Sequence, residues 1–232
     1  MKYFGEGLSD LHKELNTVIR KKDGTAAAKQ LFAALHSRLH SSKVYGTGEN
    51  EVDLLLADLL PHEYRIMPTA KDETIAWALW HIARIEDLTL NFLVVGSSQV
   101  FDTAWKKRLN TPIADTGNAL SDDEIIDFSR LIDIEALKAY RNAVGKRTNE
   151  IVKSLSAADM KRKVSREGLN GIRQAGGVTE QEDSLWLLDF WANKDIAGIL
   201  LMPPTRHVIS HLNDCCKWKA HLRAGKKCFL KA

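Results

Sequence analysis

The sequence has few cysteines and no stretch that resembles an export signal. It contains three cysteines in 232 residues, and two of them, Cys215 and Cys216, are adjacent, so a disulfide between them would be strained. A sparse and odd number of cysteines is typical of a protein kept in a reducing compartment. The opening residues from Met1 to Gly5 lack the apolar run that export requires. We therefore expect a cytoplasmic protein.

The chain also lacks long hydrophobic runs and a strong excess of charge. Its longest apolar stretches, near residues 75–80 and 196–202, are much shorter than the about 20 residues that a membrane-spanning helix needs. The formal net charge is +3, and basic residues cluster only in short runs such as residues 161–163. No basic helix or base-stacking platform accompanies them. We expect no membrane insertion and no nucleic-acid partner.

Strand patterns are missing as well. No segment rich in valine, isoleucine and threonine alternates with period two, which argues against a sheet of any size. Apolar residues recur instead at helical spacing. Ser121 and Glu124 form a capping box that predicts a helix start, and Thr179 with Glu182 predicts another. Helices are expected at about residues 8–20, 25–42, 72–95 and 134–155, with a short one at about 51–60 and a last one from the Pro203–Pro204 pair to about residue 223.

These patterns predict one all-α domain over residues 1–232, with its core at about residues 25–223 and residues 1–24 as an N-terminal helical extension. The predicted helix at 72–95 is apolar around nearly its whole circumference, so it is expected inside the protein. A connection of roughly 25 residues follows it, which is long for a simple up-and-down bundle.

The histidines are the most informative residues for function. Among eight, two pairs have His-x-x-x-His spacing, His36 with His40 and His207 with His211. On a helix this spacing places two imidazoles one turn apart on one face, which is a geometry that divalent transition metals accept. Spacing alone does not choose between the pairs.

The neighbours of each pair differ. His36 and His40 lie among polar residues near a helix end, and we interpret them as surface histidines. We interpret three isolated histidines in the same way: His12, His62 and His221. In contrast, His207 and His211 follow two prolines and are interleaved with apolar residues, and they share a helical row with Cys215 and Trp218.

His81 lies within the most apolar helix. The residues alone leave two interpretations open, because a buried imidazole is either hydrogen-bonded in the core or a third ligand beside His207 and His211. Three protein ligands with an open position are typical of a catalytic metal site.

Two segments carry a resemblance to a known family. Residues 74–87, TIAWALWHIARIED, and residues 201–214, LMPPTRHVISHLND, resemble the second and last helices of the DinB/YfiT-like superfamily of metal-binding four-helix bundles. Residues 137–164 are similar to its third helix and the turn after it. The resemblance covers roughly residues 25–219.

The resemblance implies a four-helix bundle of up-down-down-up topology, elaborated by the N-terminal helix and the long connection. It also implies a metal site made by His81, His207 and His211, with nickel or zinc as the metal and water completing the shell. Members are often homodimers. Characterised relatives include thiol-dependent S-transferases and an isomerase.

Two classes of function follow. In the first, the three-histidine site activates a small thiol or water, so that the protein is a thiol S-transferase or a hydrolase acting on a small-molecule substrate that the sequence does not name. The alternative is a non-catalytic metal-binding or sensing bundle that acts through partner binding, because no general base stands out in the sequence. A fourth protein ligand would favour the second class.

The supporting residues near the histidines have two interpretations each. Asp87 and Asp214 are placed to orient an imidazole, but we expect both at helix surfaces. Cys215 is expected as a small buried residue rather than an extra ligand. The tryptophans are expected in the core and are also candidates for lining a pocket above the metal: Trp77, Trp80, Trp186, Trp191 and Trp218.

Overall fold

The computed structural model describes residues 4–231 and has the all-α fold that the sequence predicts. Residues 1–3 and 232, which the predicted domain includes, lie outside the described part. In chain order the α-helices are α1 Leu8–Val18, α2 Thr25–Ser37, α3 Glu51–Leu56, α4 Ile75–Leu88, α5 Thr103–Leu109, α6 Asp122–Leu131, α7 Ile134–Ser154, α8 Ala157–Met160, α9 Arg166–Gln174, α10 Glu182–Ala192, α11 Ile196–Leu200 and α12 Val208–Arg223.

Shorter elements join these helices. Single 3₁₀ turns cover Ser42–Val44 and Glu63–Arg65, and π-helical segments cover Thr89–Val95 and Met202–His207. Two strands of two residues, β1 Ile66–Met67 and β2 Leu230–Lys231, pair antiparallel. Apart from one isolated bridge, no other strand pairing occurs between residues 4 and 231. None of the helices in that range is both long and apolar enough to cross a bilayer.

Helix α4 lies at the centre of the packing. All of its residues are buried, as its all-round apolar pattern predicts, and it packs against α7, α12 and the π-helical segment before α12. The helix starts where the Thr74 hydroxyl accepts a hydrogen bond from the backbone N–H of Trp77. The π-helical segment Thr89–Val95 continues α4 without a break. The helix predicted over residues 72–95 is therefore present, but it starts at Ile75.

Helix α1 belongs to the packed core, since Leu8 and Leu15 are fully buried. It packs on α2. The Nε2 atom of His12 donates to the carbonyl of Leu201 over 2.8 Å, and the guanidinium of Arg20 makes two hydrogen bonds with Asp195. These contacts fasten the first helices to the segment that leads into α12.

Three predicted helix boundaries are wrong. Helix α3 ends at Leu56 rather than near residue 60. Helix α2 ends at Ser37 rather than near residue 42, so His40 lies just beyond it. Helix α10 begins at Glu182 with Gln181 as its N-cap, and the capping box predicted at Thr179 does not form. The backbone N–H of Thr179 donates instead to the hydroxyl of Ser184, which folds the preceding segment back onto the first turn of α10.

Candidate metal centre

His81, His207 and His211 meet between α4 and the start of α12. One ring nitrogen from each lies within 4.8 Å of the others. The Nε2 atoms of His81 and His207 are 3.1 Å apart. The ring centroid of His81 lies 4.9 Å from the centroid of His207 and 4.9 Å from that of His211. The centroids of His207 and His211 are 4.6 Å apart. Residues 126 positions apart along the chain therefore form one cluster of three imidazoles.

A backbone carbonyl fixes the tautomer of His81. Its Nδ1 atom lies 2.8 Å from the carbonyl oxygen of Thr116, and because a carbonyl only accepts, Nδ1 carries the proton. In the neutral ring the lone pair is then on Nε2, the atom that faces His207. A hydrogen bond from the second ring nitrogen to a carbonyl is a common way to orient a metal-binding histidine.

This carbonyl belongs to a segment that four side chains of α4 hold in place. Residues 114–117 lie in the long connection after α4 and run along that helix, and each of their carbonyls accepts a hydrogen bond from it. The connection thus positions His81 as part of a continuous set of contacts. The donor–acceptor pairs are Arg84 with Ala114, Trp80 with Asp115, His81 with Thr116 and Trp77 with Gly117.

Trp77 forms one wall of the histidine cluster. Its indole stacks on the ring of His81, with centroids 4.5 Å apart and an interplanar angle of 10°, and meets His211 edge-on at 5.8 Å. Trp77 is 6% exposed. The aromatic wall therefore limits the movement of the His81 ring and keeps water away from that side of it.

The other two histidines come from the transition between π- and α-helix. His207 is the last residue of the π-helical segment, and His211 lies in the first turns of α12. Pro203 and Pro204 at the start of the segment have no N–H for the α-helical pattern, and π-helical turns recur at functional sites. Both histidines are half-buried, whereas His81 is 4% exposed.

The three imidazoles are held in the neutral form. Burial, and then the proximity of His211, lowers the pKa of His81 to about 3. Burial and the two neighbouring histidines lower the pKa of His207 well below its ordinary value. Burial lowers the pKa of His211, and the carboxylate of Asp214 partly opposes this. Neutral imidazole is the form that binds a metal ion.

The cluster fits a divalent transition metal. His207 presents its Nε2 atom to Nε2 of His81, and because the proton of His81 is on Nδ1, a nitrogen lone pair points into the cluster. Two nitrogen ligands about 2.1 Å from a tetrahedral zinc lie about 3.4 Å apart. The separation of 3.1 Å between His81 and His207 therefore needs a shift of only a few tenths of an ångström.

Other residues named from the sequence do not join this cluster. Among the described residues no cysteine, aspartate or glutamate adds a fourth ligand atom to it; Cys215 is a fully buried core residue, as expected. Asp214 is half-buried and pairs with Lys217. Four of the five tryptophans are buried and Trp186 is 48% exposed, and of the five only Trp77 has a ring contact with the described histidines.

The expectation of a surface position for Asp87 is wrong. Asp87 is fully buried, and none of the hydrogen bonds of its carboxylate goes to His81. Its carboxylate accepts hydrogen bonds from the side chains of Arg84, Tyr140 and Asn91 and from two backbone N–H groups of the connection after α4, those of Val100 and Phe101. A carboxylate with this many donors joins α4, α7 and the connection.

The interpretation of His36 and His40 as surface histidines is also wrong. Both are fully buried, and their Nε2 atoms lie 2.9 and 3.0 Å from the two carboxylate oxygens of Glu86 on α4. Their polar sequence neighbours are half-buried, whereas the imidazoles are enclosed by the core. The signal that sequence reasoning missed is Glu86, a carboxylate on a helix that is buried on all sides, which requires buried partners.

A family model described as the DinB superfamily matches residues 46–184. This range includes His81, but His207 and His211 lie beyond its end, and the resemblance of residues 201–214 therefore rests on their own motif. No curated protein matches the chain. Because the family model matches more than half of the sequence, the chain belongs to the DinB superfamily.

Proposed function

We propose that the protein is a metal-dependent enzyme in which His81, His207 and His211 hold one divalent transition metal ion, nickel or zinc, and in which that ion activates a small thiol. The observation that supports this most is the meeting of three neutral imidazoles without a fourth protein ligand among the described residues. Three ligands leave coordination positions for a substrate or water.

The bound metal would supply Lewis acidity that brings the pKa of a thiol or of water towards neutrality. The protein contributes orientation, since the carbonyl of Thr116 holds the His81 tautomer. Trp77 shields one side of the cluster from water. The cluster contains no carboxylate, and attack by water usually needs a general base, whereas a thiolate is already the nucleophile. We therefore favour thiol transfer over hydrolysis.

The proposal extends to the topology of the bundle, the oligomeric state and the substrate class. We propose that α2, α4, α7 and α12 are the four bundle helices of up-down-down-up topology, because α4 packs against α7 and α12, and α2 packs against α7. We further propose a cytoplasmic homodimer with residues 1–232 as a single domain. The substrate is then a small electrophile, and the co-substrate is a low-molecular-weight thiol.

A thiol-consumption assay tests the activity. Zinc- or nickel-loaded protein is mixed with monochlorobimane and, in turn, with glutathione, bacillithiol, mycothiol and coenzyme A. We expect conjugation with at least one thiol to be faster with the loaded protein, and we expect His207→Ala with His211→Ala to lose the enhancement. The matched control, His62→Ala with His221→Ala, is expected to retain it because neither histidine lies in the cluster.

The same assay distinguishes the proposed enzyme from a non-catalytic metal-binding protein. A loaded protein that holds its metal at the three histidines but accelerates none of these conjugations, nor the hydrolysis of a panel of esters and amides, would contradict the enzymatic proposal. That result would favour the non-catalytic metal-binding or sensing bundle.

A further inference from the structure

A second cluster of metal-binding side chains lies outside the site described above. His36 in α2 and His40 just beyond it face Glu86 on α4, and the three side chains are 0–1% exposed. The two Nε2 atoms approach different oxygens of the same carboxylate, and one ligand atom of each residue lies within 4.8 Å of the others. The imidazoles are adjacent, with ring centroids 4.3 Å apart.

We propose that His36, His40 and Glu86 form a second site for one divalent transition metal ion, separate from the three-histidine site. Two imidazoles and one carboxylate are a ligand set that zinc and iron(II) accept. Because the site is buried, the ion would tie the end of α2 to α4 and support the fold. This proposal does not depend on the proposed function, since it concerns different ligands.

Glu86 has no permanently charged hydrogen-bond partner among the described residues, and this supports the proposal. Glu86 is buried, and its hydrogen-bond partners are His36, His40 and the hydroxyl of Thr148, none of which carries a formal charge unless an imidazole is protonated. The buried guanidinium of Arg141 on α7 donates to the carbonyl of Leu39 and is near enough for its charge to interact with that of Glu86, but no hydrogen bond among the described residues joins the two. Buried charges in proteins are paired or coordinate metals, and a divalent ion between these ligands would contact the carboxylate directly.

The surrounding contacts also suit metal ligands. The hydroxyl of Tyr45 lies 2.8 Å from Nδ1 of His36, and the hydroxyl of Thr148 lies 2.6 Å from Oε1 of Glu86. Such outer contacts orient ligating histidines and carboxylates. Gly145 on α7 leaves the room that the His40 ring occupies, because a Cβ at this position would lie 2.6 Å from Nδ1 of His40.

The two sites have the same arrangement of ligands along the chain. Each combines a His-x-x-x-His pair from one segment with a single ligand from α4, His81 in one case and Glu86 in the other. These α4 residues are five positions apart, roughly 7.5 Å along a helix axis. The competing explanation is a purely hydrogen-bonded network, in which each imidazole donates its Nε2 proton to Glu86. A metal requires these nitrogens without their protons, so the two explanations make different predictions.

Zinc stoichiometry distinguishes them. The full-length protein is stripped with a chelator, dialysed against buffered free zinc, and measured by inductively coupled plasma mass spectrometry. We expect two zinc ions per chain for the wild type, one for His207→Ala with His211→Ala, and one for His36→Ala with His40→Ala. The control, His62→Ala with His221→Ala, is expected to keep two.

The variant His207→Ala with His211→Ala, called the triad variant, keeps the test valid even if His36→Ala with His40→Ala fails to fold. His207 and His211 are half-buried, so their replacement disturbs the core less. If this variant keeps one zinc and X-ray absorption at the zinc edge shows mixed imidazole and carboxylate ligands, the second site is supported. A triad variant with no zinc would overturn it, as would a folded His36→Ala with His40→Ala protein that binds as much zinc as the wild type. A triad variant that binds two ions would contradict the three-histidine site instead.

Discussion

The carbonyl of Gly117 accepts a hydrogen bond from the indole N–H of Trp77 over 3.0 Å, and this contact joins the connection after α4 to the ring that stacks on His81. Gly117 has φ +75°, and a Cβ there would lie 2.8 Å from Nε1 of Trp77. The backbone at this glycine is therefore both left-handed and in close contact with the wall of the metal centre. Any side chain at residue 117 would push Trp77 or the connection away.

Gly117→Ala is predicted to weaken metal binding at the three-histidine site. The left-handed conformation costs about 1–2 kcal/mol for a residue with a Cβ, and the displaced carbonyl of the neighbouring Thr116 would no longer hold His81. Isothermal titration of zinc into the variant measures the effect, and we expect at least about a tenfold loss of affinity at that site.

The matched control for this variant is Gly46→Ala. Gly46 also has a positive φ, +68°, but a Cβ there meets nothing within 4 Å. The control should lose a similar amount of stability without losing zinc affinity. Equal zinc affinity in both variants would contradict the role of the connection in holding His81.

Asp87→Asn is predicted to cost about 3–5 kcal/mol of unfolding free energy, because it leaves the buried guanidinium of Arg84 without its charge partner. The measurement is urea unfolding of the chelator-treated protein at pH 7. Asp127→Asn is the control, since Asp127 is exposed and pairs with Arg130 at the surface, and there we expect a change below about 1 kcal/mol. A similar small change in both variants would show that Asp87 is not the junction that its contacts indicate.

Glu73 is predicted to make the stability pH-dependent. Burial, followed by the charges of Asp214 and Asp72, raises the pKa of Glu73 to about 7, above its value in the unfolded chain. The folded state therefore binds the proton more tightly, so this contribution to stability is full below about pH 4.5 and is lost as pH rises through about 7.

Glu73→Gln removes this dependence. We expect the variant to gain about 1–2 kcal/mol relative to the wild type between pH 4.5 and 8, a value reduced for the partial exposure of the side chain. Chemical unfolding of both chelator-treated proteins at several pH values measures the difference. A difference that does not change with pH would contradict the raised pKa.

The all-α fold and the central position of α4 are predictable because they follow from local periodicity. An apolar pattern around the whole circumference of a helix leaves it no solvent face, and α4 is buried throughout. The meeting of His81 with the His207–His211 pair was within reach of the sequence through spacing and resemblance. The family match adds support for the first of these residues alone, since it ends at residue 184.

Other parts of the site carry little local signal. The carbonyl of Thr116 holds His81, but a backbone acceptor has no side-chain signature. Likewise, the burial of His36 and His40 depends on Glu86, which is 46 and 50 residues away in sequence. Their immediate neighbours are polar, and this local pattern indicated a surface position. The buried position of the two histidines is determined by long-range pairing with Glu86, which their local sequence does not show.

The most direct test of the metal centre is anomalous diffraction from crystals grown with zinc and recorded on both sides of the zinc absorption edge. The account predicts a strong anomalous peak between His81, His207 and His211, about 2.0–2.1 Å from one nitrogen of each ring. Zinc-loaded crystals with no anomalous peak among these three imidazoles would contradict it.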